Sequence, residues 1–177
     1  MRKLFIMAAI SLVALGCSAE KEARSAAPAK SQPSAVKSEE LVEVQPKTKA
    51  AVREVAQTNF DAYATGDYGD SYDLWTESAK KFVTRQNYVK AYKLCPSIAE
   101  GVPFKISSIQ LAPDRLSAKV RTTRTMGISV AASYTYVYEN SEWRWQPDQK
   151  ILAPYKAGRT PQQLAAAWQK DGRCAKK

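Results

Sequence analysis

The fold is decided by residues 103–147, PFKISSIQLAPDRLSAKVRTTRTMGISVAASYTYVYENSEWRWQP, which predict four consecutive antiparallel strands. Over residues 116–123 apolar or small side chains alternate with polar ones, the period-two pattern of a half-buried strand. Turns are expected at Ala112-Pro113-Asp114, near Thr125-Met126-Gly127 and at Asn140-Ser141.

The third and fourth strands predict an aromatic sheet face. β-branched, small and aromatic residues share one parity between the second and third turns: Ile128, Val130, Ala132, Tyr134, Tyr136 and Tyr138. A two-residue loop at Asn140-Ser141 would place Tyr138 opposite Trp143 and Tyr136 opposite Trp145. One face of the sheet therefore needs a cover.

Helical signals before and after the sheet supply that cover. Helices are expected at about 47–66, 67–75, 84–95 and 160–171. The third begins at a capping Thr84, and the last begins with Thr160-Pro161 and a glutamine at its third position. Three acids at spacing three, Asp67, Asp70 and Asp73, suit the first turn of a helix better than a metal site. The fold class is α+β: N-terminal helices on a curved sheet of about four strands, plus a C-terminal helix.

Residues 1–17 have the order of an export signal. Arg2 and Lys3 precede an apolar run that is shorter than the about 20 residues of a membrane-spanning helix. The ending Ala14-Leu15-Gly16-Cys17 resembles the lipobox of bacterial lipoproteins, although that motif usually carries a branched aliphatic residue where Ala14 stands. The resemblance implies cleavage before Cys17, palmitate-type acylation of Cys17 and an anchor on the extracytoplasmic side of the membrane. The alternative is an ordinary secretory signal with an incidental cysteine.

Residues 18–47 predict a flexible tether, because they are rich in Ala, Ser, Pro, Lys and Glu and contain no aromatic residue. Cleavage would leave 25 basic against 17 acidic residues, a net charge of +8, and the tether itself is neutral. The excess lies in residues 48–177, the folded domain. It favours anionic neighbours such as envelope polymers or an envelope protein. Nucleic acid is not expected, since no nucleic-acid-binding motif is present.

Three stretches carry a resemblance over roughly residues 48–150: AYATGDY at 62–68, VTRQNYV at 83–89 and SEWRWQP at 141–147. They resemble the nuclear-transport-factor-2-like (ketosteroid-isomerase-like) superfamily, in particular its small secreted or lipid-anchored bacterial members. The resemblance implies a cone in which helices cap a concave sheet and can leave an apolar pocket for a small apolar ligand. Its members include isomerases, dehydratases, scaffolds and accessory domains, so the fold alone assigns no activity.

Much catalytic chemistry is missing from the chain. There is no histidine, and no phosphate-binding loop, metal motif or cofactor motif appears. In an exported protein Cys95 and Cys174 are expected to form a disulfide. Asp61, Asp73 and Glu139 are conceivable bases, but none matches a catalytic motif, so no catalytic, metal-binding or cofactor-binding residue is predicted.

Six aromatic residues are candidates for lining a pocket, with ordinary core packing as the alternative: Tyr63, Tyr72, Trp75, Tyr134, Tyr136 and Trp145. The sequence thus predicts a lipid-anchored, surface-exposed, non-catalytic binding or accessory domain at the bacterial cell envelope. The alternative is a small pocket enzyme of the isomerase or dehydratase type that uses a carboxylate base.

Overall fold

The structure is a computed structural model that describes residues 44–175. The predicted signal segment, the lipidation of Cys17 and residues 18–43 of the predicted tether lie outside the described residues. The described chain forms these elements in order: α1 (Lys49–Thr65), α2 (Tyr68–Asp73), α3 (Glu77–Lys80), α4 (Arg85–Leu94), β1 (Lys105–Leu111), β2 (Ser117–Met126), β3 (Ile128–Glu139), β4 (Glu142–Gln146), α5 (Gln149–Lys156) and α6 (Pro161–Lys170). Among these helices none is long and apolar enough to cross a membrane.

The four strands form one antiparallel sheet in the order β1-β2-β3-β4, so the predicted α+β class is confirmed. The register of the last hairpin is also confirmed, because Tyr136 pairs with Trp145 and Tyr138 pairs with Trp143. Asn140 and Ser141 have φ angles of 49° and 68°, the left-handed conformation that a tight two-residue hairpin loop requires. The rings of Tyr138 and Trp143 meet edge to face at 5.4 Å between centroids.

A bulge in β1 keeps its apolar side chains on the helix-covered face. Ile106 and Ile109 are three residues apart, a spacing that would place them on opposite faces of a regular strand. The register shift between Ile106 and Ser108 inserts one residue, and both isoleucines are 8% exposed. The bulge therefore adds an apolar contact beneath the helices.

Helix α1 packs along this face through an apolar stripe. Val52, Ala56 and Phe60 are buried, and the rings of Phe60 and Phe104 stack at 5.0 Å. Thr48 caps the helix by accepting a hydrogen bond from the Ala51 amide at 3.2 Å. Gly66 ends it with a φ of 83°, the left-handed C-cap that favours glycine.

Two helices were not predicted, and the second expected helix is shorter than the range of about 67–75 that was expected for it. It stops at Asp73, before Trp75, because the backbone there pairs with β4: the Trp145 amide donates to the Leu74 carbonyl at 2.7 Å. Helix α3 has only four residues, too few to show periodicity. Helix α5 contains Pro154. Because proline is unfavourable inside a helix, the sequence of this segment does not predict one.

Ordered contacts begin inside the stretch predicted as tether. The Gln45 amide donates to the Ser141 carbonyl at 2.9 Å, and the Gln45 side-chain oxygen accepts from the Trp143 amide at 2.8 Å. The Trp143 indole donates to the Pro46 carbonyl at 3.1 Å. Residues 45 and 46 thus belong to the fold, because they complete the hydrogen bonding of the β3–β4 hairpin.

The expected disulfide between Cys95 and Cys174 is present, with 5.0 Å between their α-carbons. It joins the end of α4 to the segment after α6. The Ala175 amide donates to the Pro96 carbonyl at 2.7 Å, and the Ile98 amide donates to the Arg173 carbonyl at 3.2 Å. The covalent bond and these hydrogen bonds hold the C-terminal segment beside α4.

Candidate functional site

A cavity of about 150 Å³ lies between the sheet and the helices. Its lining combines aromatic rings, a few polar groups and three cations: Asn59, Phe60, Tyr63, Ser71, Tyr88, Tyr92, Phe104, Arg124, Tyr134, Trp145, Lys150, Ile151, Pro154, Tyr155, Trp168 and Arg173. Each structural layer contributes. Helices α1, α2 and α4 supply one side, strands β2 to β4 supply another, and α5, α6 and the C-terminal segment complete it.

The six aromatic residues predicted from the sequence divide into two sets. Tyr63, Tyr134 and Trp145 line the cavity. The other three lie in the surrounding core: Trp75 is fully buried, the Tyr72 hydroxyl donates to the Val83 carbonyl at 2.7 Å, and Tyr136 is fully buried. Those three side chains support the cavity wall.

Other lining residues were not predicted as such, and they come from several elements: Tyr88, Tyr92, Phe104, Tyr155, Trp168 and the three cations. Tyr88 and Tyr92 are four residues apart in the helix expected at about 84–95, a spacing that places both on one helix face and is a partial signal. The sequence patterns gave no signal that α5 and the C-terminal segment approach the same space.

A buried polar relay fixes the floor of the cavity. Asn59 is 2% exposed, and its side-chain amide donates to the Tyr136 hydroxyl at 3.0 Å. The Asn59 carbonyl oxygen accepts from the Ser71 hydroxyl at 2.7 Å. Because Asn59 uses both ends of its amide, it ties α1 to α2 and to β3. This arrangement holds the backbone elements around the cavity in one relative position.

A second set of hydrogen bonds orders the wall near the end of α4. The Tyr63 hydroxyl donates to Ser97 Oγ at 3.0 Å, and Ser97 Oγ accepts from the Ala99 amide at 3.1 Å. Tyr68 donates to the Glu100 carboxylate at 2.8 Å. These contacts position the Tyr63 ring, which meets the Tyr92 ring edge to face at 5.7 Å.

Three phenols of the cavity, Tyr88, Tyr92 and Tyr134, are neutral over the physiological pH range. Burial raises the pKa of Tyr88 and of Tyr92 well above the ordinary value of a phenol. Burial also raises the pKa of Tyr134, against the smaller lowering effect of the nearby Arg124 guanidinium. A neutral hydroxyl keeps its proton, so each of these groups is able to donate a hydrogen bond.

Three cations contribute to the lining. Arg124 follows the parity of the buried Val120 and Thr122 on β2, so its side chain extends over the helix-covered face, where its guanidinium carbon lies 5.1 Å from the Phe104 ring centroid. The guanidinium carbon of Arg173 lies 5.6 Å from the Trp168 ring centroid. Lys150 and Arg173 are exposed and mark the solvent side of the cavity.

The three acids considered as bases lie elsewhere. Asp61 is exposed and accepts from the Gln57 side chain at 2.7 Å. Arg85 Nε donates to both carboxylate oxygens of Asp73. Glu139 accepts a hydrogen bond from the Glu77 amide at 2.8 Å. Among the described residues the cavity lining contains no carboxylate, and no group of potential metal ligands occurs there either.

Comparisons with known proteins give little detail. No protein-family model and no curated protein matches the chain. Among solved structures it is similar to a protein of unknown function with a cystatin-like fold from Methylobium petroleophilum PM1. The identity is 11%, the match covers 60% of this chain and 83% of that chain, and the TM-score is 0.37. A likeness of this size assigns no function, so function has to be inferred from the cavity.

Proposed function

We propose that the protein is a lipid-anchored, non-catalytic binding domain on the surface of the bacterial cell envelope, and that its cavity receives a small ligand. The carrying observation is the ring-lined cavity of about 150 Å³ with neutral hydroxyl donors. An apolar cavity of about 150 Å³ is large enough for a molecule the size of benzene. Concave apolar sites with a few polar groups are the usual form of a small-molecule site.

The alternative, an isomerase or dehydratase with a carboxylate base, has less support. A general base has to come within hydrogen-bond reach of the proton that it removes. Asp61, Asp73 and Glu139 all lie outside the cavity lining. Burial raises the pKa of three lining phenols, Tyr88, Tyr92 and Tyr134, which makes them poor bases at neutral pH. The arrangement of the described residues therefore favours binding over this kind of catalysis.

The assignment to the nuclear-transport-factor-2-like superfamily belongs to the same proposal. Its support is the element order, in which N-terminal helices precede four antiparallel strands and cover one face of them, with a cavity between the two layers. The sixth helix extends this arrangement and is tied to α4 by the disulfide.

Anchoring at Cys17 is supported by the sequence of charge, apolar run and Gly16-Cys17. Replacing Cys17 by Ser should abolish acylation and shift the protein from the detergent phase to the aqueous phase. The mass of the N-terminal peptide should change accordingly. Unchanged partitioning together with an unchanged N-terminal mass would contradict the anchor. The domain's positive charge would then attract anionic envelope polymers or a protein partner without a membrane tether.

The binding proposal is tested by native mass spectrometry of protein purified gently from its envelope. Ile151 lines the cavity, whereas Ile128, the first residue of β3, is 72% exposed. We expect a small-molecule adduct on the wild-type protein and on Ile128→Trp, and none on Ile151→Trp, because the larger ring fills the space. An adduct that persists in Ile151→Trp would place the ligand elsewhere, and a wild-type protein that never carries or accepts an adduct would contradict the proposal.

A further inference from the structure

The cavity joins two chemical features that together define a ligand class. Its interior is built from aromatic rings, while its charged lining groups are all positive: Arg124, Lys150 and Arg173. Within residues 44–175 no carboxylate lies within salt-bridge distance of any of the three. Their positive charge is therefore not neutralised by an ion pair inside the described domain.

Arg124 shows the strongest sign of a missing partner. Its Nε atom is buried and donates no hydrogen bond to another described residue. A buried donor without a partner is costly, and a donor on a charged group is more costly than a neutral one. The Phe104 ring lies beside the guanidinium and offers a cation–π contact, but no hydrogen-bond acceptor. An anionic oxygen entering the cavity would supply one.

Arg173 is held beside the same cavity by its neighbours in sequence. Cys174 is bonded to Cys95, and the Arg173 carbonyl accepts from the Ile98 amide at 3.2 Å. The Arg173 amide donates to the Trp168 carbonyl at 2.9 Å. Its backbone is thus fixed on both sides, and its guanidinium lies over the Trp168 ring. The backbone position of this cation beside the cavity is therefore fixed, which lowers part of the entropy cost of binding an anion.

The nearby acid is already engaged. The negative charge of Asp148 raises the pKa of Tyr134, whereas the positive charge of Arg124 lowers it. Its carboxylate caps α5 by accepting from the Ile151 amide at 2.9 Å, and it does not line the cavity. Three cations against one capping carboxylate leave the cavity with a positive potential that favours an anion.

We infer that the ligand of this cavity is a small anion with a ring-sized apolar body, whose carboxylate binds Arg124 and Arg173 while its body packs among the aromatic rings. This inference rests on the proposed binding function and gives it a ligand class. The size follows from the cavity volume of about 150 Å³, which fits one six-membered ring. The neutral hydroxyl of Tyr134, beside Arg124, is available as a further donor to the carboxylate.

The test compares benzoate with benzamide, its neutral isostere, by calorimetry and ligand-observed NMR on the full chain in detergent. We expect benzoate to bind about 10- to 100-fold more tightly, the range for one hydrogen bond to a charged group. Arg124→Gln should remove most of that preference. Arg121→Gln is the matched control, because Arg121 lies on the same strand with its side chain on the opposite, exposed face. Arg121→Gln should leave the preference unchanged.

Each outcome separates the two proposals. Equal affinity for benzoate and benzamide would overturn the anionic ligand class and leave the cavity as a site for neutral ligands. Equal loss of preference in Arg121→Gln and Arg124→Gln would also overturn it, since a general charge effect would then explain the result. Absence of binding by either probe would overturn the ligand class, and the adduct experiment on Ile151→Trp then decides the binding function by itself. Circular dichroism of both arginine variants checks that each retains the fold.

Discussion

Removing the Cys95–Cys174 disulfide should destabilise the protein by several kcal/mol. The bond closes a loop between residues 79 apart in sequence. In the chain-entropy model, closing a loop of that length restricts the unfolded chain by about 4.5 kcal/mol at 25 °C. This is an upper value, because residual structure already restricts the reduced unfolded chain, and loosening of the C-terminal segment in the reduced native state recovers part of the loss. We therefore expect a loss of about 2–4.5 kcal/mol in the free energy of unfolding.

The contacts that remain after the disulfide is removed determine which parts of the structure detach. The rings of Tyr92 and Trp168 lie 4.9 Å apart, and Leu164 is 1% exposed. Full burial of a large apolar side chain contributes about 1.5–3 kcal/mol. Helix α6 should thus stay docked most of the time without the disulfide. Residues 173–175 should separate first, because that segment is held mainly by backbone hydrogen bonds and lacks comparable apolar packing. Amide exchange should rise mainly at Ala175 and Ile98, whose amides donate those bonds.

The assay is urea unfolding followed by tryptophan fluorescence. Both proteins carry Cys17→Ser, so that they are soluble and contain no other cysteine. One keeps the disulfide and the other carries Cys95→Ala and Cys174→Ala. Reduced protein with both cysteines serves as the matched control, and it should unfold close to the double variant. A difference below about 1 kcal/mol between the oxidised protein and the double variant would refute the reasoning, because most of the loop-closure term would then be missing from the measured stability.

Three further predictions concern buried polar groups and the backbone. Asn59→Ala should cost about 2–4 kcal/mol by leaving two buried hydroxyl partners without their hydrogen bonds, whereas the exposed Asn87→Ala should be near neutral; urea unfolding measures both. Gly66→Ala should lower stability by about 1–2 kcal/mol, which is more than Gly158→Ala should cost. Both glycines have a positive φ, but only at Gly66 would the new Cβ lie close to another residue, 3.1 Å from Glu100 Oε1. Above pH 10 the free energy of unfolding should fall by up to about 1.4 kcal/mol per pH unit for each buried tyrosine. Burial raises the pKa of these phenols, so the unfolded state loses the phenol proton at a lower pH than the folded state. Urea unfolding between pH 8 and 11 tests this, and a flat profile would contradict it.

Most of the fold was accessible from the sequence, because its signals are local. Period-two alternation over residues 116–123 and the two-residue loop at Asn140-Ser141 predict the register of the aromatic hairpin, which the pairing of Tyr136 with Trp145 confirms. The elements that escaped prediction lack such local signals. Helix α5 contains a proline, α3 has four residues, and the bulge at Ser107 depends on which face the rest of β1 buries.

Only about half of the cavity lining could be predicted, since it combines residues from eight helices and strands, the loop before β1 and the C-terminal segment. The parity of Arg124 was readable: it follows Val120 and Thr122 on the buried face of β2, and a cation at that parity is unusual enough to indicate a site. Lys150 and Arg173 carry no comparable signal. Lys150 lies in a helix after β4 that contains a proline and is therefore not predicted. Arg173 reaches the cavity because Cys174 is bonded to Cys95.

The disulfide therefore contributes to the site as well as to stability. Reducing it frees the segment that holds Arg173, so reduction should weaken benzoate binding while Arg124 still favours benzoate over benzamide.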